Sequence, residues 1–301
     1  MKEIFKITAS LTGVCVAAAL LLGAVFAKTE HARKASEEKI KQETVQDLLG
    51  FGTGNIPADL KIYKIHRYVI KDPDGKVLLG YVVPLKDKGF GLVEVDLSGK
   101  AVKTIPIEAD AAQLADQTGT DTVLKQTLPK GTQATYAETL YVADRGGKRI
   151  GYVVPGVTQG FKNFIKLMVS LTPDFAISGV AITESEEDPG LGDKIKDSFF
   201  KNQFVGKTLD LLKGLEVIKE PLPSDYLPAL DPAVAKKDHL NPEQVSEIKA
   251  KHVKDNIYAI TGATISSRAL TNGVKETVRK FVYRLDILDA AMKQENVAVA
   301  F

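Results

Sequence analysis

Gly80-Tyr81-Val82-Val83-Pro84 returns further along the chain as Gly151-Tyr152-Val153-Val154-Pro155. A Gly-Lys pair precedes each copy (Gly75-Lys76 and Gly147-Lys148), and a Gly-Phe pair follows each (Gly89-Phe90 and Gly160-Phe161). Short apolar runs bounded by glycine turns are the signature of β-hairpins. The chain is therefore expected to hold two related hairpin units, a duplicated sheet element. Around the first copy, residues 62–70 alternate, Asp72-Pro73-Asp74-Gly75 marks a turn, and residues 77–83 form the return run. After the second copy, residues 164–171 and 177–182 read as strands joined at Thr172-Pro173-Asp174. Between the copies, residues 110–130 read as helix and loop.

Outward from these strands the period changes. Leu270, Val274, Val278, Phe281, Leu285 and Leu288 line one face of a long helix expected over residues 265–292. Residues 219–254 form a polar insertion with prolines at 221, 223, 228 and 232. Within it, Asn241-Pro242-Glu243 is a helix start: a capping side chain, proline in the first turn, and an acid near the positive helix end. Strands grouped together and helices at the end make an α+β fold rather than alternating βαβ.

At the other end, no charge occurs between Lys6 and Lys28. As a helix, residues 7–27 would rise roughly 30 Å, the thickness of a bilayer core, and read as one transmembrane helix. A cleaved signal peptide is the rival reading, because Val25-Phe26-Ala27 fits a cleavage site, but the apolar run is longer than such segments carry. Cys15 follows Val14 within the apolar run and is expected to be a plain membrane-facing or packed residue, not a lipidation site. Lys28, Arg33, Lys34, Lys39 and Lys41 outnumber Lys2 and Lys6, so charge bias alone keeps the following domain in the cytoplasm; long domains cross regardless of such bias. Residues 28–49 read as a helical stalk with Ala32, Ala35, Ile40, Val45 and Leu48 as a loose stripe, Gly50 as its stop, and Gly52-Thr53-Gly54 as a linker.

Composition narrows the chemistry. A net charge of +2, with no basic run interleaved with aromatics, excludes a general nucleic-acid binder. One cysteine allows no internal disulfide and no cysteine-held metal cluster. His31, His66, His239 and His252 are scattered and are expected at the surface, so no metal site is expected. Asp72-Pro73-Asp74-Gly75 faintly resembles a calcium loop, but Lys76 stands where an oxygen ligand is needed, so an ordinary turn is expected. Gly89-Phe90-Gly91 lacks the third glycine of a dinucleotide fingerprint.

The chemistry-bearing segment is Ile260-Thr261-Gly262-Ala263-Thr264-Ile265-Ser266-Ser267. It joins the apolar run 257–260 to the terminal helix, so free amides open towards an anion while hydroxyls crowd the turn. A phosphate cradle around a nucleophilic hydroxyl and a plain Ser/Thr helix cap are both consistent with this turn alone.

Three segments together resemble the FMN-binding domain family of the G subunits of Rnf complexes and the C subunits of sodium-pumping NADH:quinone reductases. Thr261-Gly262-Ala263-Thr264 matches the [ST]GA[ST] motif; Glu187, Pro189, Gly190, Leu191 and Gly192 match an ETPGLG loop; Gln203, Phe204, Gly206 and Lys207 match a QFxGK-like segment, in the family's order. The resemblance covers the membrane helix and about 137–283. It implies FMN joined by a phosphoester to Thr264, with Thr261, Gly262, Ala263, Ile265, Ser266 and Ser267 around it and Glu187 to Gly192 near the flavin. No catalytic residue is expected in the chain, because a separate flavin transferase makes the bond. Asp188 departs from the loop threonine, and Tyr258 stands where the family often has an aspartate, with Asp255 three residues earlier. The implied function is an electron carrier in an ion-translocating ferredoxin:NAD oxidoreductase of the inner membrane, with its domain outside the cytoplasm. Its partners would be membrane lipid and the complex's other membrane, iron–sulfur and flavin subunits. The alternatives are a quinone-reductase C subunit and a flavin-free anchored binding or assembly module. The expected organisation is an anchor over 1–28, stalk and linker over 29–59, a strand-rich subdomain over 60–136 as a degenerate repeat, and the flavin domain over 137–290 with insertion 219–254.

Overall fold

The computed structural model describes residues 2–52, 56–87 and 89–301, with the side chains of residues 27, 31, 34 and 35 outside the description. Thr53 and Gly54 of the expected linker lie outside the described residues, as do the side chains of Ala27, His31 and Ala35. The chain divides into two compact units, 1–44 and 45–301.

The first unit is carried by helix α1 (Lys2–Leu48). Its segment Lys2–Glu30 holds an 18-residue stretch of mean hydropathy 2.2 and is long and apolar enough to cross a membrane.

The second unit is built on one eight-stranded antiparallel sheet. Its strands are β1 (Leu60–Lys71), β2 (Val77–Pro84), β3 (Phe90–Val95), β4 (Ala101–Ile107), β5 (Gln133–Arg145), β6 (Lys148–Gln159), β7 (Phe164–Leu171) and β8 (Ile177–Glu184). Their spatial order is β4-β3-β2-β1-β5-β6-β7-β8. Two four-stranded meanders are thus joined through their first strands, with His66 of β1 opposite Thr139 of β5. The repeated pentapeptide is the second strand of each meander. Its alternation places equivalent residues on the same face: Tyr81, Val83, Tyr152 and Val154 enter the main core, while Val82 and Val153 point to the opposite side. Residue 136, the expected subdomain limit, falls inside β5, so the sheet runs unbroken through it.

Helix α2 (Gln117–Thr127) covers the opposite face of the first meander through Val123, Leu124 and the following Leu128. On the second meander, Val45, Leu48 and Leu49 cover Tyr141, Val153 and Met168. The main core lies under the terminal helix α8 (Thr264–Gln294), whose stripe Leu270, Val274, Val278, Phe281, Leu285 and Leu288 is buried to 2% exposure or less. Close approach fixes its position on β6: a Cβ on Gly156 would lie 2.0 Å from Thr277 Oγ1. After α8 the chain returns to the first meander, where Lys86 N donates to Ala298 O and Ala300 N to Pro84 O.

Between β8 and α8 lie short elements: a 3₁₀ turn Gly192–Lys196, α3 (Ser198–Lys201), a second 3₁₀ turn Asn202–Phe204, α4 (Leu209–Gly214), β9 (Val217–Ile218), α5 (Leu227–Leu230), α6 (Pro232–Lys237), α7 (Pro242–His252) and β10 (Ile257–Tyr258). The stretch that carries Ile195, Phe199, Phe200 and Phe204 is thus three short helical turns in succession, not one helix. The α7 start is a full capping box, with Asn241 and Gln244 side chains each accepting from the other's backbone N–H. The Asp72–Gly75 segment is the β1–β2 turn, closed by Lys76 N donating to Asp72 Oδ1. Two histidines are not at the surface. His66 and His252 are only 2% and 7% exposed because their ring nitrogens are satisfied inside, His66 by Thr139 and Leu114, and His252 by Asp255 and Asp225.

Candidate functional site

Gly262 turns the chain from β10 into α8. Its φ of +81° lies in the left-handed region, and a Cβ there would sit 3.1 Å from Leu191 Cδ2. Ala263 occupies the N-cap position without a side-chain cap, so no Ser or Thr hydroxyl closes the helix end. The first helical residue is Thr264, half-buried. The amides of the first turn have no acceptor inside the helix and face outward along its axis.

The hydroxyls that crowd this turn divide sharply. Ser267 is fully buried; its Oγ donates to Ala263 O at 2.9 Å and accepts from Ile260 N at 3.1 Å, bracing the turn. Ser266 is 3% exposed and donates to the Glu187 carboxyl group. Thr261 is exposed before the turn. Thr264 alone of the four combines a place in the adjoining cleft with a hydroxyl given no protein partner among the described contacts.

That cleft measures about 300 Å3 and is lined by Phe161, Asp188, Leu191, Gly192, Gly262, Ala263, Thr264, Ile265 and Ser266. Its volume is at the lower end for ligand clefts. Phe161, Leu191 and Ile265 expose 56%, 48% and 59% of their surface at its mouth, an apolar rim beside a polar floor. The structure thus brings Leu191 and Gly192 of the upstream loop against the Gly262–Ser266 turn. Gly190 and Pro189 turn the loop outside the lining, and Thr261 and Ser267 flank it.

Glu187 holds these parts together from behind. It is 4% exposed and accepts from Phe161 N at 2.8 Å, from Lys162 N at 3.3 Å and from the Ser266 hydroxyl. Gly192 packs directly on this junction: a Cβ there would lie 2.9 Å from Ser266 Oγ and 3.0 Å from Glu187 Cβ. Phe161 and Lys162 were not legible as site residues. Their only signal was the Gly-Phe pair after the second pentapeptide, and the equivalent Phe90 of the first copy lies in strand β3 instead.

The QFxGK-like segment acts at one remove. Gln203 accepts from Tyr258 N at 2.8 Å and donates to Tyr258 O, pairing with β10 as a strand would. Lys207, 1% exposed, donates to Val253 O at 2.9 Å and Asp255 O at 2.6 Å. These bonds hold the segment that enters the 261–264 turn. Asp255 is engaged in the same place, accepting from the Tyr258 hydroxyl at 3.1 Å.

Burial pushes the Lys207 ammonium down from 10.5 to about 8, with Asp255 opposing the shift. The unfolded chain then keeps this proton to about pH 10.5 while the folded chain releases it near 8. Stability contributed at this site therefore rises with pH across that window. Neutral lysine still donates to both carbonyls. Between pH 7 and 9.5, wild type should gain up to about 2 kcal/mol relative to Lys207→Met, which has no proton to lose. Urea unfolding of both proteins at the two pH values measures the difference; a stability of wild type minus that of Lys207→Met that falls or stays constant as pH rises would contradict the buried, depressed ammonium.

Residues 160–279 match the model of the FMN-binding domain family. The chain is 31% identical over 177 residues to the G subunit of the proton-translocating ferredoxin:NAD(+) oxidoreductase complex of Clostridium ljungdahlii, covering 59% of this chain and 77% of that protein. It is 27% identical over 143 residues to the G subunit of the Na(+)-translocating ferredoxin:NAD(+) oxidoreductase complex of Acetobacterium woodii, covering 47% of this chain and 54% of that protein, about half its length. Among solved structures it is similar to NqrC of Shewanella oneidensis, with a TM-score of 0.44 and 20% identity across 80% of this chain and 91% of that one. With the family's glycine loop folded against its hydroxyl turn and a G subunit matched over most of its length, the chain belongs to the FMN-binding domain family that includes these G subunits.

Proposed function

We propose that this chain is a membrane-anchored electron carrier of an ion-translocating ferredoxin:NAD oxidoreductase complex, with FMN joined through its phosphate to Thr264. The observation that carries this reading is the division of hydroxyls at the head of α8: Ser266 and Ser267 are buried and engaged, while Thr264 lies in the cleft. The residues fit the group. The first-turn amides of α8 would hold the phosphate. Gly262 and Gly192 keep Cβ atoms out of the turn where loop and helix meet, and Phe161, Leu191 and Ile265 offer an apolar rim to a flat ring. When bound, FMN supplies one- and two-electron transfer; the chain supplies position and electrostatics. A separate flavin transferase would form the bond, and the helix Lys2–Glu30 would anchor the chain with its domain outside the cytoplasm.

Spheroplasts producing the full chain with a flavin transferase test the reading in one experiment. Carbonate-washed membranes, run on a denaturing gel, should show flavin fluorescence at the chain's mass. Protease added to intact spheroplasts should remove that band. A non-fluorescent chain would return the molecule to a flavin-free binding module. Release by carbonate would remove the anchor, and cleavage only after lysis would reverse the orientation.

A further inference from the structure

Three consecutive acids, Glu186, Glu187 and Asp188, each engage the β6–β7 turn across the cleft wall. Glu186 accepts from Asn163 Nδ2 at 2.9 Å, Glu187 from the Phe161 and Lys162 amides, and Asp188 pairs with the Lys162 ammonium. The first two tie the turn by hydrogen bonds to its amides and to Asn163, and Glu187 does so from a buried position. The third is different: both of its partners are substantially exposed, at 50% and 39%, where an ion pair adds little stability. Asp188 lines the cleft with Thr264, so this pair's charge stands at the cleft rim. The Asp188 carboxyl group also holds the Lys162 ammonium above the usual lysine range, so Lys162 stays charged at neutral pH.

We infer that the Asp188–Lys162 pair sets the electrostatic potential at the flavin's cleft and thereby the flavin's reduction potential. The inference rests on the flavin reading above and adds to it the residues that tune the cofactor. Each electron that enters without a proton adds one negative charge to the bound group. An acid at the rim opposes that charge and an ammonium favours it. Paired, the two nearly cancel. Removing one exposes the other, so the single variants must act in opposite directions.

Midpoint potentials of the detergent-solubilised full chain, read by flavin absorbance, test this. Lys162→Met should lower the potential, Asp188→Asn should raise it, and the double variant K162M/D188N should return close to wild type. Both single shifts should shrink as salt is raised, because the pair is solvent-exposed. A purely structural role would loosen the loop in either variant and move both potentials the same way. Shifts of equal sign, or none, in chains that keep covalent fluorescence would overturn the tuning role alone. A wild-type chain with no covalent flavin would overturn the flavin reading and this inference with it.

Discussion

Thr264→Val, made together with a flavin transferase, is expected to fold, reach the membrane and carry no covalent flavin. Valine keeps the branching and size of threonine and removes only the hydroxyl. Thr264 is half-buried at the first position of α8 and its side chain caps nothing, so the change should alter stability by no more than about 1 kcal/mol. The loss of label should nevertheless be complete. Ser266 cannot substitute, because its hydroxyl is spent on Glu187 in a buried site. Ser267 cannot, because its hydroxyl braces Ile260 and Ala263. Thr261→Val should keep at least part of the label, since Thr261 precedes the turn. In-gel fluorescence with peptide mass mapping decides the matter. Full covalent fluorescence in the Thr264→Val chain would show that another residue carries the group.

Glu187→Ala is expected to be the most damaging single change to the site's frame. It leaves the Phe161 amide, the Lys162 amide and the Ser266 hydroxyl without their common acceptor. The losses are coupled through one buried side chain, so the cost should be roughly 2–4 kcal/mol. For a unit of this size, that lowers Tm by about 5–15 °C. Glu187→Gln keeps an acceptor for the amides and should recover much of the stability. Thermal unfolding followed by far-UV circular dichroism measures both. An alanine variant as stable as wild type would mean that Glu187 is not the tie between the β6–β7 turn and α8. The same variant should also label poorly, because the cleft's wall and floor lose their shared anchor.

Much of the architecture was legible along the chain because it follows local periodicity. The stripe from Leu270 to Leu288 predicted α8 within a residue or two of its observed span. Asn241-Pro242-Glu243 marked the start of α7, and the alternating runs around the pentapeptides marked β1, β2, β7 and β8. The strands β3 and β4 were missed where glycine and lysine punctuate short runs, and β5 where Thr, Glu and Ala dilute the apolar pattern. The buried histidines were misread for a related reason. Each is satisfied by a partner that the chain's order does not reveal; Thr139, for example, meets His66 only because β1 pairs with β5.

By itself, the sequence determined the element types, the α+β class, the apolar N-terminal segment and the hydroxyl turn at the head of the last helix. These depend on neighbouring residues and on their period. Only the tertiary structure decided how the two meanders join, through β1 and β5, since pairing between distant strands has no local signature. It also decided which of the turn's hydroxyls are engaged. Thr264, Ser266 and Ser267 differ little as sequence, and what separates them is Glu187, far upstream, arriving behind Ser266 while Ala263 and Ile260 close around Ser267. Burial and hydrogen-bond partnership are properties of contacts between distant segments, and those contacts exist only once the sheet has formed.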